Sequence, residues 1–333
     1  MRRALGALCA AFVLSVAAAE AKELRLGHQF AESDARHKAA RVFAAELRKR
    51  APDLVASVHS NSSLKVDPIQ QYEALLEGKM ELSIYPMPYA AAKIPELAIV
   101  SMPAVPANAE LAGVLRGSEF EEKLQKFCEE KGFRILTWWW FDGGMASRKR
   151  AVTGPDSIKG LVARSSGGEA FNTVLAAAGA SILRLPPSEL RSSMETGKLE
   201  VSQSSYETLM SFGLHEVSQF ATIGGYSTLT VLVPIIISKT VWDSLSMDER
   251  IAVEQAAEAS SIYFEATQRE AEEAAVEKFT KAGAKIEKLS FEDYAAWVQI
   301  AKDTAWKKYR AVSPKAAELF DAMLRSFVDS GKR

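Results

Sequence analysis

The chain is poor in the residues that most often carry chemistry. Of its 333 residues, two are cysteine and four are histidine. Cys9 lies in the N-terminal apolar stretch, which leaves Cys128 alone and excludes an intramolecular disulfide in the rest of the chain. Cys128 falls in a helical run from Glu119 to Lys131 with no histidine close in sequence, so it reads as a buried thiol rather than a nucleophile. His28, His37, His59 and His215 lack metal-ligand spacing. The pair His215-Glu216 has Gln219 where a zinc-binding helix needs its second histidine. No nucleophile elbow, phosphate-binding loop or dinucleotide-binding glycine motif is present. Lys and Arg number 41 against 42 Asp and Glu, for a formal charge of −1 and no basic block, which argues against nucleic acid as a partner. Beyond the N-terminus no apolar run reaches membrane-spanning length; Val231 to Ile237 is too short. No catalytic residue, metal site or cofactor is expected.

What is present begins with the first 21 residues. Arg2 and Arg3 precede an apolar stretch, Ala4 to Ala19, and Ala19-Glu20-Ala21 supplies a small-x-small cleavage site. These features predict a secretory signal over residues 1–21, removed near Ala21, with the mature protein starting near Lys22 in an exported compartment. The alternative, an N-terminal anchor, needs an apolar run of about 20 residues. The remainder, in a chain that is 48% hydrophobic and 25% charged, suits a soluble two-domain globular protein.

Strand-like and helical segments alternate over the first 90 residues: Leu24 and Leu26, the helical face Ala39, Val42, Phe43 and Leu47, then Leu54 to His59, Pro68 to Glu77, and Leu82 to Tyr85. That order predicts an α/β fold with a mostly parallel sheet. An internal repeat follows. Pro68 stands ten residues before Gly78-Lys79-Met80-Glu81-Leu82-Ser83, and Pro187 stands ten before Gly197-Lys198-Leu199-Glu200-Val201-Ser202. In both, proline suits a first helical turn, glycine ends the helix and a strand follows. Two related lobes are expected. Phe133 to Phe141, with Trp138, Trp139 and Trp140, reads as a strand ended by Asp142-Gly143-Gly144. From Met247 to Ala282 there is no proline or glycine, and Ser246 with Glu249 forms a capping box, which predicts one helix of roughly 50 Å or two nearly collinear ones. No heptad is sustained, so a bridge across both lobes fits better than a coiled coil.

The distinctive polar residues gather at predicted strand ends. Leu161 to Ala163 reads as a short strand with Arg164 at its end, followed by Ser165, Ser166, two glycines and a helix. Open α/β sheets bind ligands at the carboxyl ends of their strands, and a guanidinium grips a carboxylate through two parallel hydrogen bonds. His28 and Gln29, Asn61, Ser166, and Ser202, Ser204, Ser205 and Tyr206 share such positions; Tyr85 and Trp140 could cover a ligand's body. The competing readings are a surface ion pair for Arg164 and core packing for the aromatic rings.

Across the mature chain these segments resemble the periplasmic substrate-binding proteins of TRAP (tripartite ATP-independent periplasmic) transporters, the DctP-type receptors. The resemblance rests on Leu26-Gly27-His28 with His37-Lys38-Ala39-Ala40, on Glu77 to Leu82, on Pro95 with Met102-Pro103, and on Ile158-Lys159-Gly160-Leu161-Val162-Ala163-Arg164. Ala178 to Ala180, Pro187 to Glu189, Gly197 to Glu200 and Ile237-Ser238-Lys239 with Trp242, Leu245 and Ser246 extend it. It implies a two-lobed periplasmic-binding-protein-like α/β fold with hinge strands and a long helix spanning both lobes. The expected division is lobe I over 22–147, lobe II over 148–233, a return to lobe I with the bridging helix over 234–275, and C-terminal helices on lobe II over 276–333. It also implies that Arg164 pairs with a ligand carboxylate and that the protein, a monomer, delivers an organic acid to the small and large membrane subunits of a TRAP transporter. Many members have Gly-Phe-Arg or Gly-Trp-Arg after the tryptophan strand and Glu-Asn-Pro after the later turn. Here Phe141-Asp142-Gly143-Gly144-Met145 lacks the second arginine, and Ser202-Gln203-Ser204-Ser205-Tyr206 replaces the other motif. These departures disfavour a sialic acid or a plain dicarboxylate and point to a monocarboxylate with an apolar or aromatic body. The other functions weighed are a sensor presenting ligand to a membrane kinase and a secreted enzyme acting on a small carboxylate.

Overall fold

The computed structural model describes residues 21–227 and 229–331. All but the last residue of the expected export signal lies outside the described residues. Among the described residues, twelve strands form two sheets. Their ranges are β1 Lys22–Gly27, β2 Leu54–His59, β3 Leu82–Ile84, β4 Phe133–Ile135, β5 Trp140–Ser147, β6 Val162–Ser165, β7 Ser181–Ile182, β8 Val201–Ser205, β9 Phe220–Gly225, β10 Leu229–Leu232, β11 Ile235–Ser238 and β12 Lys285–Leu289. The first sheet runs β2-β1-β3-β11-β4. The second runs β12-β9-β5-β8-β6-β7, with β10 on the first half of β5. Parallel pairing of β1 with β2 and β3, and of β6 with β7 and β8, gives each sheet a β-α-β half. Strands β11 and β5 complete the two sheets in antiparallel pairing.

The two repeats are superimposable in kind. In the first, a 3-10 turn from Pro68 leads into the helix Gln71–Leu76, Gly78 takes a left-handed φ of 71°, and β3 follows. In the second, a 3-10 turn from Pro187 leads into Leu190–Glu195, Gly197 has φ of 77°, and β8 follows. Left-handed backbone favours glycine, which is why the two glycines recur. The glutamate after each turn does the same work. Glu81 Oε2 accepts the backbone N–H of Arg25 at 2.8 Å, and Glu200 Oε2 accepts that of Val162 at 2.8 Å. Each carboxylate thereby satisfies a backbone donor of the neighbouring strand, inside β1 in one case and at the start of β6 in the other.

Among the described residues the chain crosses between sheets three times, the last from β11 to β12 by way of residues 239–284. It leaves the first sheet after β4, through Leu136 to Trp139, and returns through Val233 and Pro234. The lobe boundary expected at 147 does not coincide with a crossing, because β5 belongs wholly to the second sheet. The tryptophan run is not one strand ended by glycines but the crossing itself. Gly143 and Gly144 lie inside β5, where a methyl on Gly143 would strike the Ser204 carbonyl and one on Gly144 the Thr222 carbonyl. Close backbone approach, not a turn, requires glycine at this point.

Met247–Lys281 is one continuous helix of 35 residues with the expected capping box at Ser246 and Glu249. Its first half places Ala252, Val253, Ala256, Ala257 and Phe264 in a core with β1, β11 and the helix Ala35–Arg50. Its second half places Ala275 and Phe279 in a core with β9 and the helix Tyr206–Ser211. The stacking of Phe264 on Trp139, with centroids 4.9 Å apart, ties the helix to the crossing segment. The C-terminal helices divide their packing. Phe291–Ala301 lies on Glu169–Ala177 beside the second sheet, but Pro314–Ser330 lies on Glu119–Glu130, joined by the Arg325–Glu119 ion pair at 2.9 Å. The expectation that residues 276–333 pack on the second lobe therefore fails for the last helix, whose apolar face (Leu319, Phe320, Met323) shares a core with Leu124 and Phe127. Among the described residues no helix is long and apolar enough to cross a membrane.

Candidate functional site

Strand β6 ends at Arg164 and Ser165, and the chain turns through Ser166, Gly167 and Gly168 into the helix Glu169–Ala177. Parallel pairing sets Arg164 opposite Ser202 of β8, and β8 in turn sets Ser202 opposite Ala146 of β5. Residues directly opposed on neighbouring strands project to the same face, so the guanidinium and the Ser202 hydroxyl share one surface. Arg164 is 7% exposed. Its Nε donates to the Leu185 carbonyl at 3.3 Å, and its Nη1 has no acceptor. No carboxylate reaches it among the described residues, and burial pushes its pKa down. The surface-ion-pair reading is therefore excluded. A buried guanidinium without a counter-charge is costly unless something supplies one. The hydroxyl of Ser202, on a fully buried residue, also lacks a partner.

The facing unit contributes charge that is already spent. Arg36, at the start of the helix Ala35–Arg50, is held by Asp34 through two bonds, Nε to Oδ1 at 2.8 Å and Nη2 to Oδ2 at 2.7 Å. Its guanidinium lies 3.6 Å over the Phe30 ring and 5.6 Å from that of Phe141 on β5, so it sits where the two sheets meet. Half-buried Tyr89 lies in the electrostatic field of both Arg164 and Arg36. Glu207, with its carboxyl pKa raised by burial, accepts from Gln268 at 2.7 Å and feels the charges of Arg36 and Asp34. A methyl on Gly168 would meet Pro88 at 3.9 Å, so this turn lies near the first unit. Beside it a cavity of about 20 Å³ is lined by Met145, Phe171, Leu175, Gln203, Tyr294 and Trp297 among others, room for about one water.

The other residues singled out in the sequence fall into two groups. Gln29 stays at the junction: its Oε1 accepts from Gln71 at 3.2 Å, and its Nε2 is buried without an acceptor. Ser166 is half-buried, its N–H donating to the Gln203 carbonyl at 3.1 Å. Ser204 is buried under the close approach of Gly143. His28 is fully buried, with Nδ1 accepting from the Phe30 N–H and Nε2 3.1 Å from His37; burial lowers its pKa to about 4, so it is neutral. Ser205 caps the helix Tyr206–Ser211, accepting from the Thr208 N–H, and Tyr206 accepts from the Gly224 N–H inside the second unit's core. Tyr85 is buried with its hydroxyl 3.5 Å from the Ile69 carbonyl, edge-on to Tyr89. Trp140 is buried in the largest core, its Nε1 without an acceptor. Asn61 is exposed, in left-handed backbone with φ of 52°, and serves a turn.

Asp142 occupies the stretch where a second arginine was sought. Its carboxylate accepts the Ala109 N–H at 2.9 Å and the Thr230 hydroxyl at 2.8 Å, and burial raises its pKa to about 6. It anchors a helix start rather than facing Arg164. Tyr89, Arg36, Phe30 and Gln71 were not anticipated; only the uncommon placement of a glutamine in the apolar face of a short helix could have signalled Gln71. No group of three or more His, Cys, Asp or Glu among the described residues is placed to hold a metal ion.

Residues 26–311 match the family model described as bacterial extracellular solute-binding protein, family 7. A solute-binding protein of Albidiferax ferrireducens is 31% identical over 95% of this chain and 96% of its own. The C4-dicarboxylate-binding periplasmic protein DctP of Rhodobacter capsulatus is 26% identical over 90% and 91%. Among solved structures, a TRAP periplasmic solute binding protein from Rhodoferax ferrireducens with bound malonate superposes with a TM-score of 0.85 at 28% identity, covering 92% of this chain and 99% of that one. One from Chromohalobacter salexigens with bound D-glucuronate gives 0.80 at 20% identity, over 91% and 99%, a likeness of fold.

Proposed function

The chain belongs to the bacterial extracellular solute-binding proteins of family 7, and from that premise we propose that it is the extracytoplasmic receptor that delivers a small organic acid to a TRAP-type sodium-coupled permease. The observation that carries this reading is Arg164: a buried guanidinium with a free Nη1 and no carboxylate of its own. A ligand carboxylate supplies the missing charge through two parallel hydrogen bonds. Ser202, on the same face, offers its unpartnered hydroxyl. The relatives crystallised with malonate and D-glucuronate share an acid group with the proposed ligand.

One free guanidinium takes one carboxylate. Asp34 and Glu207 place negative charge around the second arginine, Arg36, so a further carboxylate on the ligand is repelled. The preferred ligand is a monocarboxylate. The proposed function is binding and release without turnover, in keeping with the solute-binding family to which the chain belongs. The protein is exported as a monomer after loss of residues 1–21, and its two units close over the ligand by bending at Leu136 to Trp139 and Val233 to Pro234. The membrane subunits of the permease are its partners.

The test is a thermal-shift screen of the purified mature protein against organic acids, followed by calorimetry. An acid at a hundredfold excess over its Kd raises stability by about 2.7 kcal/mol. Arg164→Lys keeps the charge but loses the fork, and affinity should fall about thirtyfold or more. Unchanged affinity in that variant would remove Arg164 from the site and the reading with it.

A further inference from the structure

Building on the carboxylate-receptor reading, we propose that Gln29 recognises an acceptor oxygen on the carbon next to the ligand's carboxylate, and that Gln71 and Ser83 fix the polarity of that contact. Three side chains, Ser83 and Gln71 buried and Gln29 half-buried, form a directional relay. The Ser83 hydroxyl donates to Gln71 Oε1 at 2.8 Å, and Gln71 Nε2 donates to Gln29 Oε1 at 3.2 Å. Ser83 is fully buried and Gln71 is 1% exposed, so neither can exchange its partner for water. An amide has a carbonyl on one side and an NH2 on the other. Once Gln71 accepts from Ser83, it must donate to Gln29, and Gln29 must turn its own NH2 outward. That Nε2 is buried and has no acceptor. A buried donor without an acceptor is costly, and a ligand acceptor relieves the cost.

The relay ends where the two units meet. Gln29 follows the last residue of β1 by two positions, between His28 and Phe30, and Phe30 lies under the Arg36 guanidinium that reaches toward Phe141 of the second sheet. At the other end, Tyr85 stands edge-on to Tyr89, which lies in the field of Arg164. Superposing the repeats by their strand pairing sets Gln29 at the place of Ser166 and Gln71 at that of Leu190. The second unit therefore has no such relay. The site pairs a charged grip on one side with a neutral donor on the other, which suits an acid bearing a keto or hydroxyl oxygen. The arginine fork orients the carboxylate, so the oxygen on the adjacent carbon is the one held most rigidly for readout.

The experiment is calorimetry of the purified mature protein with pentanoate, 2-oxopentanoate and 2-hydroxypentanoate, which differ only at the second carbon. The oxygenated acids should bind about tenfold more tightly than pentanoate, and Gln29→Ala should bring the three within about twofold of one another. Gln71→Glu is the sharper variant. A carboxylate there can only accept, so Gln29 flips and presents its carbonyl. The 2-oxo acid, which cannot donate, should lose about tenfold relative to the 2-hydroxy acid. If Gln71→Glu does not fold, Ser83→Ala, which releases the relay's fixed polarity, should narrow the preference for the oxygenated acids. The proposal is overturned if the wild-type protein binds none of the three, if pentanoate binds as tightly as the others, or if the preference survives in folded Gln29→Ala. Arg164→Met separates the two levels of the account. Loss of all three acids in that variant with an unchanged preference in Gln29→Ala sinks the relay alone; retained binding in Arg164→Met sinks the carboxylate reading.

Discussion

The two repeats of this protein share a skeleton and differ in what they leave unfinished. In both, a left-handed glycine ends a short helix, a glutamate satisfies the backbone of the neighbouring strand, and a buried serine sits five residues after the glycine. In the first, Ser83 hands its proton to Gln71 and the chain of bonds continues to Gln29. In the second, Ser202 has no partner and faces an arginine that has no counter-charge. The shared parts build the fold, and the unshared ones, where polar capacity is left over, carry the proposed site. A serine at a strand end says little by itself. Whether its neighbours use it decides whether it is architecture or a binding group.

This contrast can be tested by variants in matched positions. The largest effect is expected at the strand ends, where His28 in the first repeat corresponds to Ser165 in the second. His28 has a folded pKa near 4, below its unfolded value of 6.5, because burial disfavours the charged form. A histidine shifted down contributes stability that is fully present above pH 6.5 and is lost as pH falls toward 4. The loss is on the order of 3 kcal/mol. His37, Asp34 and Arg36 face it and modulate the shift. Denaturant titrations from pH 7 to pH 4 should show His28→Gln losing less stability than the wild type by that margin; parallel pH profiles would contradict it. Next, Glu81→Ala and Glu200→Ala should each cost about 2 kcal/mol, since each strands a backbone N–H and a basic side chain. A clear inequality between the two would show that the repeats are not energetically alike. The smallest effect separates the serines. Ser83→Ala should destabilise by about 1 kcal/mol by leaving Gln71 Oε1 without its donor, whereas Ser202→Ala should be neutral in the ligand-free protein and weaken acid binding. Equal melting temperatures for the two variants would erase the distinction.

Much of the architecture was legible in the sequence because it depends on local rules. The repeated proline–glycine–glutamate spacing, the capping box at Ser246 and the breaker-free stretch to Lys281 act within a few residues, and each appears where expected. Arg164 was legible for the same reason, as a charge at the end of a short apolar strand. What misled was long-range. Gly143 and Gly144 read as a turn, but they admit carbonyls of β8 and β9, strands some 60 and 80 residues away (the offsets in numbering to Ser204 and Thr222). The last helix was assigned by proximity in sequence, whereas its apolar face matched Glu119–Glu130. Asn61, Ser205 and Tyr206 have polar atoms suited to a ligand, yet in this fold the Asn61 amide donates to the neighbouring Ser60 hydroxyl, Ser205 caps a helix and Tyr206 accepts from the Gly224 N–H. Residue type announces hydrogen-bonding capacity; only the fold reveals whether it is spent.

The most direct measurement is thermal denaturation of Arg164→Met, with and without the acid that most raises the melting temperature of the wild-type protein. Because Arg164 is a buried charge without a counter-charge, proposed to await a ligand, its removal should relieve a cost and abolish a response. The ligand-free variant should melt at or above the wild-type temperature, and the acid should not move it. A variant that melts several degrees lower and still responds to the acid would show that the guanidinium holds the fold together and that the ligand binds elsewhere.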